Sequence, residues 1–276
     1  SKEGLNGSVS GNNKDIKTTI IRLKKTFNIK EFDSFSNSKS KFKPFHKPKV
    51  KIKKERKKQE PLEICFNSEN NNWEIGIDEA GRGPLFGRVY TAAVVLPKDN
   101  SFDHELMRDS KKITSKKKIK QLAEYIKGNA VAWSIQSETE QMIDKINIRQ
   151  CVLSSMHKSI KECIHQLNTH EVQLLIDGND FKPYTYIEND QIEYCPHITI
   201  KGGDNLYTSI AAASILAKVA RDDYILALCN DHIELEERYG IASNKGYGAK
   251  RHLDGIREHG ITQWHRKTYG ICKEYV

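Results

Sequence analysis

The sequence contains no CxxC pair and no close grouping of cysteine with histidine. Its six cysteines, at positions 65, 151, 163, 195, 229 and 272, are scattered through 276 residues. A structural zinc site draws its ligands in closely spaced pairs, so this spacing excludes one. A chain of this length has no need of disulfide staples either, and the cysteines read as reduced thiols in an intracellular protein. Apolar runs are short, and none approaches the ~18 residues of a membrane-spanning helix. No internal repeat is visible. The first residue is Ser1 and not methionine, so the start reads as that of a trimmed chain, with a lost targeting peptide left open.

Charge is abundant and unevenly placed. The net charge is +9, yet residues 1–60 hold 18 Lys and Arg against 6 Asp and Glu, a net of +12. Residues 61–276 hold 27 basic and 30 acidic residues, a net of −3. The expected division is therefore a basic, disordered extension over 1–60 and a globular domain over 61–276. Within the extension, "IKTTIIRLKKTFNIKEF" (16–32) has enough apolar residues for one short amphipathic helix. The Lys-rich run 39–60 has no means of burial. It reads as a linker or as an arm that attracts phosphates without reading sequence.

Beyond Cys65 the chain alternates strand and helix patterns. "NNWEIGIDEA", "RVYTAAVVLP", "NAVAWSIQSE", "EVQLLIDGN" and "HITIKGGD" read as strands. "SKKKIKQLAEYIKG" reads as a helix with Ser115 at its N-cap and Gly128 as its stop signal. "IDKINIRQCVLSSMHKSIKECIHQL" reads as one long helix, and "NLYTSIAAASILAKVARDDYILALCN" as another with an Ala-rich stripe. The expectation is an α/β domain with a central mixed sheet flanked by helices.

Three of these strands end in carboxylates: Asp78 and Glu79 after "EIGI", Asp177 after "QLLI" and Asp204 after "ITIKGG". Strand ends in open α/β sheets are where ligands gather. A single acid there is ordinarily a cap or a turn former. Four converging acids repel one another and raise each other's pKa unless cations neutralise them. An all-oxygen donor set favours Mg²⁺ or Mn²⁺. Two such ions about 4 Å apart assist phosphodiester cleavage by activating water and stabilising the leaving oxygen. Successive strand residues face opposite sides, so the Ala80–Gly81 turn is expected to bring both Asp78 and Glu79 inward.

The stretches "GIDEAGRGPLFG", "DSKKITSKKK", "IDKIN", "IDGN", "KGGDNLYTSIAAASILAKVARD" and "NKGYGAKRH" resemble, in this order, the motifs of the type 2 ribonuclease H family, ribonuclease HII. The resemblance spans residues 73–270. It implies a ribonuclease H-like α/β fold with a C-terminal helical region, and hydrolysis of RNA in RNA–DNA hybrids. It also implies nicking at single ribonucleotides in duplex DNA, with 5′-phosphate and 3′-hydroxyl products. By the resemblance, Asp78, Glu79, Asp177 and Asp204 are the catalytic and metal-binding acids of a two-ion Mg²⁺ or Mn²⁺ site.

The family's glycine-rich loop falls on Gly81, Arg82 and Gly83, where small residues let backbone groups approach a ribose 2′-hydroxyl. Arg82 suits a bidentate phosphate contact. Tyr247 matches the family tyrosine beside the ribonucleotide–DNA junction, and Asn147 a position near the substrate. Lys111 and Lys112 are candidate phosphate ligands.

Asp222 lies 18 residues past Asp204 along a helix, roughly 27 Å at about 1.5 Å per residue, too far for one metal pair. It reads as an ion-pair partner of Lys218 or Arg221. Asp109 reads as an orienter of the lysines. His265 reads as packed sooner than as a proton carrier. Departures from the family pattern are the second Gly of "KGGD", Ala249 for a usual Thr, and Phe86 and Arg88 in "GPLFGRV". The expected partner is nucleic acid, with no membrane, and the protein is expected to be a monomer. Two alternatives stand beside this reading: a non-catalytic hybrid-binding module, and a type 3 ribonuclease H. The second normally carries a folded N-terminal substrate-binding domain.

Overall fold

The computed structural model describes residues 13–28, 61–67, 72–108 and 115–276. It divides into two units, residues 1–60 and 61–276. In the first, helix α1 spans Asn13–Phe27 and overlaps the amphipathic helix expected over 16–32, of which residues 29–32 lie outside the described residues. The basic run 39–60 lies outside the described residues, as do Asp109, Lys111 and Lys112.

The second unit is organised by a five-stranded mixed sheet. Strand β1 (Trp73–Ala80) lies at its centre, with β2 (Val89–Val95) antiparallel on one side and β3 (Ala132–Glu138) antiparallel beyond it. On the other side β4 (Val172–Asp177) and then β7 (His197–Ile200) run parallel to β1. The order is β3-β2-β1-β4-β7.

Both faces of this sheet are covered, which is why β2 carries apolar residues on both of its faces. Ile75 and Ile77 of β1 pack with Val89, Ala93 and Val95 of β2 against Val152, Met156 and Ile160 of α5 (Ile148–Leu167). Ala92 and Val94 of β2 face the other way. They pack against Leu122, Ala123 and Ile126 of α3 (Lys116–Asn129) and the alanines 211–213 of α6 (Thr208–Asp231). The alanine stripe lets α6 sit directly on β1: a Cβ on Gly76 would run into the backbone of Ser209. Glycine is therefore needed in mid-strand, where it otherwise weakens a sheet.

A third cluster closes the C-terminal region. Phe86 packs there with Ile225 of α6, Leu235 and Tyr239 of α7 (Glu234–Tyr239), Ile241 of α8 (Ile241–Asn244) and Ile256 of α9 (Lys250–His259). A 3-10 turn over Gly270–Tyr275 ends the chain, with Cys272 in the same cluster. All six cysteines are free thiols, and burial pushes the Cys163 thiol up to about 12.

Three local expectations change. The long helix expected from "IDKIN" onward is two helices, α4 (Glu140–Ile146) and α5, broken at Asn147. Asn147 has φ of 67° and its side-chain oxygen accepts the Gln150 N–H at 3.1 Å, an N-cap that restarts the helix. Gly128 is not a stop: α3 continues through Asn129, although Ser115 does cap its start. A hairpin of β5 (Thr185–Glu188) and β6 (Gln191–Tyr194) was not foreseen. Its signal was the alternation in "TYIENDQIEY", whose turn residues Asn189 and Asp190 both adopt positive φ. Among the described residues a one-turn helix, α2 (Glu105–Arg108), completes the list with α3 on one face of the sheet.

Candidate active site

Sheet register places two of the acids side by side. Ile77 of β1 pairs with Ile176 of the parallel β4, so the next residue on each strand, Asp78 and Asp177, stand side by side at the carboxyl ends. Asp177 in turn pairs with Ile200, the last residue of β7. From there Gly202, at φ 70°, turns the chain into a 3-10 turn over Gly203–Asn205 that carries Asp204. The Gly203 N–H donates to Asp177 Oδ1 at 2.7 Å and locks this turn against β4. Gly203 also packs closely: a Cβ there would lie 2.6 Å from Ile210 Cδ1. Both glycines of "KGGD" thus have a reason, one for its backbone angle and one for space.

Asp78 is only 5% exposed and its Oδ1 accepts the Glu79 N–H at 2.7 Å. Burial holds its carboxyl well above the usual range. A hydrogen bond to Ser214 of α6 opposes this, and the charges of Asp177 and Glu79 reinforce it. Glu79 is raised as well, by burial and by Asp177, against the pull of Arg82, whose Nη1 stands 3.5 Å from Glu79 Oε1. The expected inward turn at Ala80–Gly81 does not occur. Strand β1 stays paired with β2 through Ala80, so by alternation Asp78 faces α6 and Glu79 the α5 side. The pair straddles the end of the strand. Among the described residues no three potential metal ligands already stand close enough to hold an ion.

Immediately after the acids, the Gly81–Arg88 segment wraps over two buried arginines. Arg266 is fully buried. It donates to the carbonyls of Gly81 at 2.6 Å, Pro84 and Gly87 at 2.9 Å and Arg82 at 3.1 Å. Arg221 of α6 donates to the carbonyls of Phe86, Arg88 and Lys245. Gly81 has φ of 92°, and a Cβ there would strike the Arg221 side chain. The Leu85 N–H reaches the Gly246 carbonyl at 2.8 Å, which joins this loop to the loop of Tyr247. The Tyr247 ring is 52% exposed and lies beside Gly83. Between Gly81 and Tyr247 a small pocket has Lys218 and Lys245 on its wall.

The remaining candidates separate cleanly. Asp222 pairs with Lys218 at 3.4 Å, not with Arg221, and belongs to no acidic cluster. His265 is buried, 3.1 Å from His252 and bonded to Thr262, and burial pushes it down to about 3. A neutral, enclosed ring carries no proton to a substrate. Sequence reasoning missed Arg221 and Arg266. Arg221 had a signal, since it sits on the buried stripe of α6 between Ala217 and Ile225 at four-residue spacing. Arg266 had none, because its partners are backbone carbonyls.

A family model described as ribonuclease HII matches residues 75–271. The chain belongs to the ribonuclease HII family. It is 44% identical over 206 residues to a ribonuclease HII of Parabacteroides distasonis, covering 75% of this chain and 94% of that one. With a ribonuclease HII of Bacteroides fragilis the identity is 46% over 198 residues, 72% of this chain and 89% of the other. The fold matches the ribonuclease H2 of Pyrococcus horikoshii with a TM-score of 0.58 at 18% identity, across 74% of this chain and 96% of that one. It also matches a Bst ribonuclease HIII solved with Mn²⁺, with a TM-score of 0.52 at 17% identity, across 75% of this chain and 70% of that one. A second model, described as a UPF0176 acylphosphatase like domain, matches residues 1–55, where the described part is α1.

As a member of this family the chain is a hydrolase, a divalent-metal-dependent endoribonuclease that acts on nucleic acid, and the type 3 alternative is not favoured. Its departures from the family pattern are accommodated structurally. Phe86 is a core residue packed edge-on to His265, with ring centres 5.1 Å apart. Arg88 lies 5.0 Å over the Tyr224 ring. Ala249 is the N-cap of α9 and supplies no side-chain cap. No helix among the described residues is long and apolar enough to cross a membrane.

Proposed function

We propose that Asp78, Glu79, Asp177 and Asp204 hold two Mg²⁺ or Mn²⁺ ions, and that the enzyme cuts RNA–DNA hybrids and nicks duplex DNA at single ribonucleotides. One observation carries this: a buried Asp78, with its pKa raised, beside Asp177 and Glu79. A binding-only domain gains nothing from such repulsion, whereas divalent cations relieve it. The donor set is all oxygen, as those ions require. When bound, the ions activate water and stabilise the leaving 3′-oxygen.

The chain's own groups do the rest. Asp78 and Asp177 supply oxygens from adjacent strands, Glu79 swings from Arg82, and Asp204 closes the set from its turn. Gly81, Arg82 and Gly83 grip the ribose and its phosphate, and Tyr247 packs on the sugar at the junction. Lys111 and Lys112 add phosphate contacts. Asn147, shown above as a helix cap, lies on the exposed surface from which a contact to the substrate backbone is made. The catalytic unit is residues 61–276, acting as a monomer, and residues 1–60 are an extension to it.

The test is a nicking assay with Mg²⁺ or Mn²⁺ on duplex DNA containing one ribonucleotide. Asp78→Asn should lower cleavage at least about a hundredfold, since metal assistance is worth several kcal/mol and each 1.36 kcal/mol is tenfold. Binding of the same duplex should persist. Equal cleavage by variant and wild type would refute the assignment.

A further inference from the structure

The four carbonyls on Arg266 have a geometric consequence. In a trans peptide, the C=O of one residue and the N–H of the next point in opposite directions, and the described chain has no cis peptide bond. With the Gly81 and Arg82 carbonyls turned inward onto Arg266, the N–H groups of Arg82 and Gly83 are turned outward together. Successive outward amides form a concavity that binds an electronegative oxygen. The buried guanidinium beneath them adds positive potential, and its pKa, pushed down to about 10, leaves it charged at neutral pH. The Tyr269 hydroxyl donates to the same Arg82 carbonyl at 3.1 Å.

The strand of chain that carries both side chains is itself anchored. Asp144 of α4 accepts the N–H groups of Lys267 at 3.0 Å and Thr268 at 2.9 Å, and the Thr268 hydroxyl at 2.8 Å. Asp144 of "IDKIN" and Lys267 of "WHRKTYG", 123 residues apart in sequence, thus converge on the loop after the catalytic acids.

We propose that Arg266, supported by Tyr269 and Asp144, is the positioning residue that sets the Arg82 and Gly83 amides to read the ribose 2′-oxygen. This rests on the reading that the Gly81–Gly83 loop engages the sugar. Burying an arginine is costly unless every donor finds a good acceptor. Here the acceptors all belong to one short loop, so the charge fixes that loop's peptide orientations. Lysine offers a single nitrogen and cannot span four carbonyls.

The experiment uses the full chain with two duplexes, identical but for a ribose or a 2′-fluoro sugar at one position. It compares kcat/KM, Mn²⁺ affinity, thermal melting and amide exchange of residues 81–87. Tyr269→Phe removes one hydrogen bond and should lower kcat/KM on the ribose duplex about fivefold. Arg266→Lys should lower it by about a hundredfold, as expected for loss of charge-assisted bonds, with Asp144→Ala in between. For Tyr269→Phe, Mn²⁺ affinity and melting should hold while ribose discrimination falls and exchange over 81–87 quickens.

A wild type that cleaved both sugars equally would remove the ribose reading and this inference with it. A wild type that discriminates, with variants that discriminate as well and exchange no faster, would overturn the inference alone. So would losses that track melting temperature or Mn²⁺ affinity, which mark a general structural role.

Discussion

At the scale of single residues, the site trades stability for chemistry. Asp78 has a folded pKa above the 3.8 of a free carboxyl. The native state therefore binds its proton more tightly than the unfolded chain does, and stability falls as pH rises through the raised value. Asp78→Asn should consequently raise the melting temperature at neutral pH in the presence of a chelator, with the gain shrinking below pH ~4. Mg²⁺ should narrow the same gap, because it stabilises only the wild type. A variant that melts lower than wild type at neutral pH under chelation would contradict this. The acids stood out in the sequence because each falls at or just beyond the end of an apolar strand pattern. The arginines were not, because a side chain that bonds only carbonyls leaves no complementary residue to notice.

At the scale of elements, sheet strands were legible and their interruptions were not. The strands β1, β2, β3, β4 and β7 announced themselves as apolar runs bounded by turn residues. The break at Asn147 was hidden because apolar periodicity continues across it. The clue was local: an Asn three residues ahead of a Gln, a cap pattern inside an apparent helix. The inward turn expected after Glu79 failed for a related reason. Pairing with β2 extends to Ala80↔Tyr90, and ladder hydrogen bonds outweigh the turn preference of Ala-Gly.

Contact between β1 and α6 supplies the test at this scale. Gly76→Ala places a methyl against the Ser209 backbone and should cost roughly 1–3 kcal/mol, read by urea denaturation. The same shift displaces Asp78 from Ser214 two residues later, so activity should fall along with stability.

At the scale of the whole molecule, charge and catalysis are segregated. The unit that bears the acids has a net charge of −3, whereas residues 1–60 carry +12. An extension of this charge that met a polyanionic duplex would attract it through counterion release. Deleting residues 1–60 should raise KM at low salt and flatten the dependence of log KM on log salt, with kcat nearly unchanged. An unchanged salt slope would show that the extension does not touch the substrate.

The distribution of thiols has a practical consequence. Five of the six are enclosed, and only Cys65 reaches solvent in part. A maleimide dye should modify this ribonuclease at one place, near Glu74 and Tyr207. No engineered cysteine is needed for a single-label fluorescence reporter on the catalytic unit.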